Sequence, residues 1–238
     1  QAGAGICLMN GTVENCRITY NDAAGTYGQT GAPWHWQNGG GGVWMQGGTL
    51  ESCLVMGNRF NGVAGSLNGG GGVSANAGRI INCTIVGNQT TDLNQPGGGL
   101  SLRKHASAGA PEEQACSAIA QNCIVVGNSS PVATSSNVFL STNGSLSASY
   151  SCSPDLTGGV ANITSAPLFV LMGSQYGASH VAGNYRLFSG GSPCVNAGTS
   201  QYVTVAFDLD GLARKKYGIV DMGAFEYVAP GGTVFIAH

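Results

Sequence analysis

Few residues in this chain are placed to do chemistry, and they fall into four groups. Glu14 and Glu51 occupy one position of successive repeat units, and glycoside hydrolysis needs a pair of carboxylates across a sugar. The plainer reading is two outward acids on a solvated wall, screened by Arg17. Arg103-Lys104-His105 stands at the mouth of a 13-residue insertion, 106–118. It offers the base and cations that a polysaccharide lyase uses against a uronate, and it also reads as a solvated basic turn. Asp208-Leu209-Asp210-Gly211 has the acids and glycine turn of a calcium loop but lacks its further ligands and bidentate Glu. Calcium is therefore a weak candidate, and no other metal or cofactor is expected. Pro33-Trp34-His35-Trp36-Gln37-Asn38, with Trp44 in the next unit, could stack on a glycan and bond its hydroxyls. Alternatively, Trp34 and Trp36 fold over an open first coil. His180 reads as an isolated loop residue, and no glycine-rich stretch carries the Gly-Lys-Ser/Thr ending of a phosphate loop. No catalytic residue is assigned.

Repeats must position these groups. Asn15-Cys16, Ser52-Cys53, Asn82-Cys83 and Asn122-Cys123 are followed, five residues after each cysteine, by Asn21, Asn58, Asn88 and Asn128. Gly5-Ile6, Gly42-Val43 and Gly72-Val73 precede the first three. Recurrence at about 30 to 40 residues means one unit stacked on copies of itself. Apolar residues recur as Val13, Cys16, Ile18; Leu50, Cys53, Val55; and Ile80, Cys83, Ile85. The first step in each trio is three, so the chain bends at Asn15, Ser52, Asn82 and Asn122, where a short polar side chain bonds local backbone and tolerates left-handed geometry.

Strand, bend, strand, turn describes an all-β, right-handed parallel β-helix of about five to six coils, each rising about 4.8 Å. Asn21, Asn58, Asn88 and Asn128 are expected to pass hydrogen bonds up the stack. Cys16, Cys53, Cys83 and Cys123, with Cys152 again at their position, are expected as a file of buried free thiols. Cys7, Cys116 and Cys194 fall off the file, and a Cys152–Cys194 bridge is compatible with the spacing. Loops 22–41, 59–71 and 89–98 lead into glycine runs at 39–42, 69–72 and 97–99 and leave one corner; Pro111-Glu112-Glu113-Gln114 reads as a single helical turn.

Composition narrows the function classes. Only 8% of residues are charged, against about 25% ordinarily. The basic residues are scattered, which argues against nucleic acid. Apolar residues make up 42%, enough for a core despite 40 glycines. No apolar run is long enough to span a membrane, and Gln1 is read as following a removed signal peptide.

After about residue 150 the repeat decays. The organisation expected is coils over 1–160, a capping module of the same domain over 161–228, and a tail over 229–238. The run Ser192-Pro193-Cys194-Val195-Asn196-Ala197-Gly198, then Asp208-Leu209-Asp210-Gly211, then Val220-Asp221-Met222-Gly223-Ala224-Phe225-Glu226-Tyr227 resembles the closing module of secreted bacterial parallel β-helix proteins of the polymorphic-outer-membrane-like, choice-of-anchor kind. The coils resemble their repeats. The resemblance implies export to the cell surface or beyond, without implying one activity; the anchor that normally follows is not in this sequence. The function expected is a non-catalytic extracellular scaffold or adhesin that contacts a cell-surface glycan or self-associates head to tail. Thr233-Val234-Phe235-Ile236-Ala237, after Pro230-Gly231-Gly232, could add to a neighbour's strand edge. The competing class is a polysaccharide lyase or glycoside hydrolase, which requires ionisable groups converging on a cleft near Glu14, Glu51 or Arg103.

Overall fold

The computed structural model describes residues 5–24, 39–61, 69–91, 96–105, 113–132, 134, 136–188, 191–215 and 218–229. Trp34, His35, Trp36 and the segment 233–237 lie outside them.

The chain winds into a parallel β-helix. Wall A stacks Ile6–Leu8, Val43–Met45, Val73–Ala75, Leu100–Leu102 and Val138–Leu140. Wall B stacks Thr12–Glu14, Thr49–Glu51, Ala77–Ile81, Cys116–Gln121 and Gly144–Ser149. Wall C stacks Arg17–Thr19, Leu54–Met56, Thr84–Val86 and Ile124–Val126, and a shorter wall D stacks Asp22–Ala24, Arg59–Asn61 and Gln89–Thr90. Pairing within these walls is parallel, with equivalent repeat positions directly opposed: Val13 on Leu50, Leu50 on Ile80, Ile18 on Val55 and Val55 on Ile85.

The bend between walls B and C is where the spacing placed it. Asn15, Ser52, Asn82 and Asn122 have φ of 50°, 51°, 48° and 53°. The left-handed region is one that asparagine visits more readily than most residues. The bend turns the three-residue step into a continuous inward face, and Val13, Leu50, Ile80, Cys16, Cys53, Cys83, Ile18, Val55 and Ile85 all join one core.

An asparagine ladder binds the coils. Asn21 donates N–H and Nδ2 to Asn58 Oδ1 at 3.0 and 2.9 Å, Asn58 does the same to Asn88 at 3.0 and 2.9 Å, and Asn88 to Asn128 at 3.0 and 3.0 Å. Asn137 ends the ladder, accepting from Asn128 N at 3.1 Å, while its own N–H is closed by Asp155 Oδ2 at 2.9 Å. The ladder also explains the glycine at the facing corner: a Cβ on Gly72 would stand 2.9 Å from Asn88 Nδ2.

The thiol file runs through Cys16, Cys53, Cys83 and Cys123, but Cys152 does not continue it. In the fifth coil Tyr150 takes the bend position with φ 50°, Ser151 takes the thiol's place, and Cys152 bridges Ile124. Ser151 Oγ accepts the Cys123 N–H at 3.1 Å. Cys152 thus faces the opposite way, into a second apolar cluster with Cys194.

The insertion is likewise not helical where it is described. Lys104–His105 pairs antiparallel with Glu113–Gln114, and Cys116–Gln121 already belongs to wall B. A two-stranded ribbon pairs backbone groups that one isolated helical turn would leave open.

The C-terminal module differs most from the cap expected. Residues 150–165 finish the stack: Val160 bridges Ser149, Ile163 bridges Cys152, and Leu156 packs against the core. Residues beyond Pro167 turn back along the outside of wall C as an outer layer. Leu54, Met56, Val86, Ile124 and Val126 point outward there and are buried under Tyr185, Leu187, Cys194, Met222, Ala224 and Phe225. Strands buried on both faces lose alternation, which is why Leu54-Val55-Met56 and Ile124-Val125-Val126 are unbroken apolar runs. Among the described residues no helix is long and apolar enough to cross a membrane.

Candidate functional site

The candidate acids are used as structural acceptors. Glu51 is 0% exposed, and its Oε1 accepts the N–H of Thr204 at 2.7 Å and of Val205 at 3.3 Å, with Thr204 Oγ1 donating to Oε2. It pins the outer layer to wall B. Glu14, on the next rung, stays exposed, so the stacked pair shares a position without sharing an environment. Arg17 does not screen them: it reaches Asp210 at 3.5 Å and lies 5.5 Å from the Phe225 ring centroid.

The calcium-like turn is closed by protein donors. Asp208 is buried, with Oδ1 accepting from Asp210 N at 2.9 Å and Leu212 N at 2.7 Å, and Oδ2 from Glu226 N at 2.7 Å. Asp210 is held in a fork by Arg186, at 2.5 Å from Nε and 2.6 Å from Nη2. Both carboxylates are engaged by protein donors, and among the described residues there is no group of three or more His, Cys, Asp or Glu that could hold a metal.

Sequence reasoning missed the most unusual cluster. Arg214 is fully buried, with Nη1 bonded to Glu226 Oε1 at 2.7 Å and Gly223 O at 3.1 Å, and Nη2 to Ser52 Oγ at 2.9 Å. Burial pushes the Glu226 carboxyl up to about 7 against the pull of Arg214. Burial also raises Asp221, although the N–H groups of Asn196 and Tyr227 hold it down in part. The bend amides serve the same interface: Asn82 Nδ2 donates to Asp221 O at 3.0 Å and Asn122 Nδ2 to Thr199 O at 2.8 Å. Polar residues at bends, expected to serve local backbone, fasten the layer instead.

His180 is not an isolated loop residue. It is buried, with Nε2 at 2.6 Å from Tyr185 Oη and Nδ1 at 3.0 Å from Gln175 O, and it lies over the Gly57 and Gly87 corners. Trp44 is 3% exposed and its Nε1 has no hydrogen-bond partner among the described residues, so it offers no open stacking platform. Arg103 is half-buried, and of Lys104 and His105 only the strand positions are described. In the thiol file, Cys83 donates to Ile81 O at 3.2 Å and Leu50 O at 3.4 Å, and burial pushes its thiol well above the ordinary value.

Wall B keeps an open polar face. Thr12, Glu14, Arg79, Ser117, Ser145 and Ser147 are exposed along it, bordered by Tyr202 with its ring 5.2 Å from the Arg79 guanidinium. Comparison of the chain with protein-family models, with curated proteins and with solved structures gave no match in any of the three.

Proposed function

We propose that this chain is a non-catalytic scaffold or adhesive module that works outside the cell. The observation that carries the reading is where the ionisable groups are spent. Glu51, Asp208, Asp210, Asp221 and Glu226 each accept hydrogen bonds that fasten the outer layer or close its turns. A hydrolase or lyase needs such groups free and facing substrate. Export rests on the resemblance of the closing module. The contact residues we assign are Trp34, His35 and Trp36, which lie outside the described residues, with a cell-surface glycan as partner. Half-buried Ile6, Val13 and Cys16 at the first coil support end-to-end association of copies as a further scaffold role.

A glycan array with the wild-type chain and the Trp34→Ala/Trp36→Ala variant tests this. Binding lost in the variant without a change in melting supports the reading. Wild-type binding to no glycan, together with a sedimentation profile independent of concentration, overturns it.

A further inference from the structure

We propose that Cys152 and Cys194 are a built cross-linking site, at which a disulfide staples the outer layer to the last coil. The two residues come from different layers, are fully buried, and meet in the apolar seam between wall C and the C-terminal module. Each thiol is the neighbour that most perturbs the other, and Cys152 Sγ also donates to Ser165 O at 3.2 Å. Both backbones are fixed: Cys152 N bonds Cys123 O at 2.7 Å and Val125 N bonds Cys152 O at 2.8 Å, while Met222 N bonds Cys194 O at 3.0 Å.

The buried thiols of the file come from successive coils of one stack, not from two layers. Cys83 and Cys123 each donate to two carbonyls, at 3.2–3.4 Å. They sit on parallel rungs with Cβ atoms pointing the same way. A disulfide wants its two Cβ–S bonds about 90° apart in dihedral, which stacked side chains supply poorly and side chains from opposite layers supply readily.

The chemistry needs a low-molecular-weight disulfide as oxidant. One thiolate attacks a sulfur of that disulfide and expels a thiolate, leaving a mixed disulfide. The second protein thiolate then attacks the protein sulfur and expels the other half. The net change is two protein thiols oxidised and one external disulfide reduced to two thiols. Whichever thiolate attacks the external disulfide first, the other closes the bridge. Because both sulfurs are buried, exchange is fast while the layer is still docking and slow once it has docked.

The full chain refolded with a mixture of oxidised and reduced glutathione, then alkylated and mapped by mass spectrometry, tests the proposal. One Cys152–Cys194 cross-linked peptide is expected, with the other cysteines alkylated and a melting temperature roughly 5–15 °C above that of the reduced chain. Cys194→Ser should melt alike with and without oxidant. All eight cysteines alkylated after refolding, or cross-links within Cys53, Cys83 and Cys123, would overturn it. The wild-type map decides even where the serine variant folds poorly.

Discussion

Asn88 is fully buried, yet its side-chain groups are all used: Nδ2 donates to Asn128 Oδ1 and Val55 O, and Oδ1 takes two donors from Asn58. Truncation to Ala strands buried donors and acceptors, each costing about 1–3 kcal/mol. Asn88→Ala is expected to lose on the order of 4 kcal/mol in urea unfolding. Asn21→Ala, at the open end and donating to Asn58 alone, is expected to lose about 1 kcal/mol; equal losses would contradict a ladder. Gly87 and Gly127 give a second comparison. Both are left-handed, with φ 66° and 60°, so Ala is strained at either by about 1–2 kcal/mol. At Gly87 a Cβ would overlap the His180 ring, whereas at Gly127 it meets the flexible tip of Met172. Gly87→Ala should therefore cost more and speed amide exchange at Gly177, whose N–H bonds Gly87 O at 2.9 Å.

At the scale of elements, walls B and C were legible because inward residues recur at fixed offsets and the bend takes Asn or Ser. Cys152 was misplaced because the fifth bend is Tyr150, a residue that carries no left-handed signal. The outer layer was illegible as such: Thr204 meets Glu51 across 153 residues and Arg214 meets Ser52 across 162, separations no local pattern encodes. Glu51→Ala removes three acceptor contacts and should free 199–205, read as new chymotryptic cleavage at Tyr202 with the coils intact. Charge in the layer gives a pH dependence. With its carboxyl pushed up from 4.5 to about 7, folded Glu226 keeps a proton that the unfolded chain has released. Its contribution is complete below 4.5 and lost as pH rises through about 7. The slope is at most about 1.4 kcal/mol per pH unit. Glu226→Gln should flatten that window in melts at graded pH; a wild-type stability that climbs across it would contradict the assignment.

For the whole molecule, two apolar volumes share wall C, one inside the coil and one beneath the outer layer. Polar side chains of Glu51, Arg214 and Glu226 tie the outer layer to the coils. Among the described residues, wall B presents an open polar face, with Thr12, Glu14, Arg79 and Ser147 exposed, on which turnover can be tested. The most direct test is therefore prolonged incubation of the chain with acidic and neutral polysaccharides, following new reducing ends and the absorbance of unsaturated uronates. No release above buffer is expected from any polymer. Release that falls away in Glu14→Gln or Arg79→Ala, with melting unchanged, would make wall B an active surface and contradict the scaffold reading.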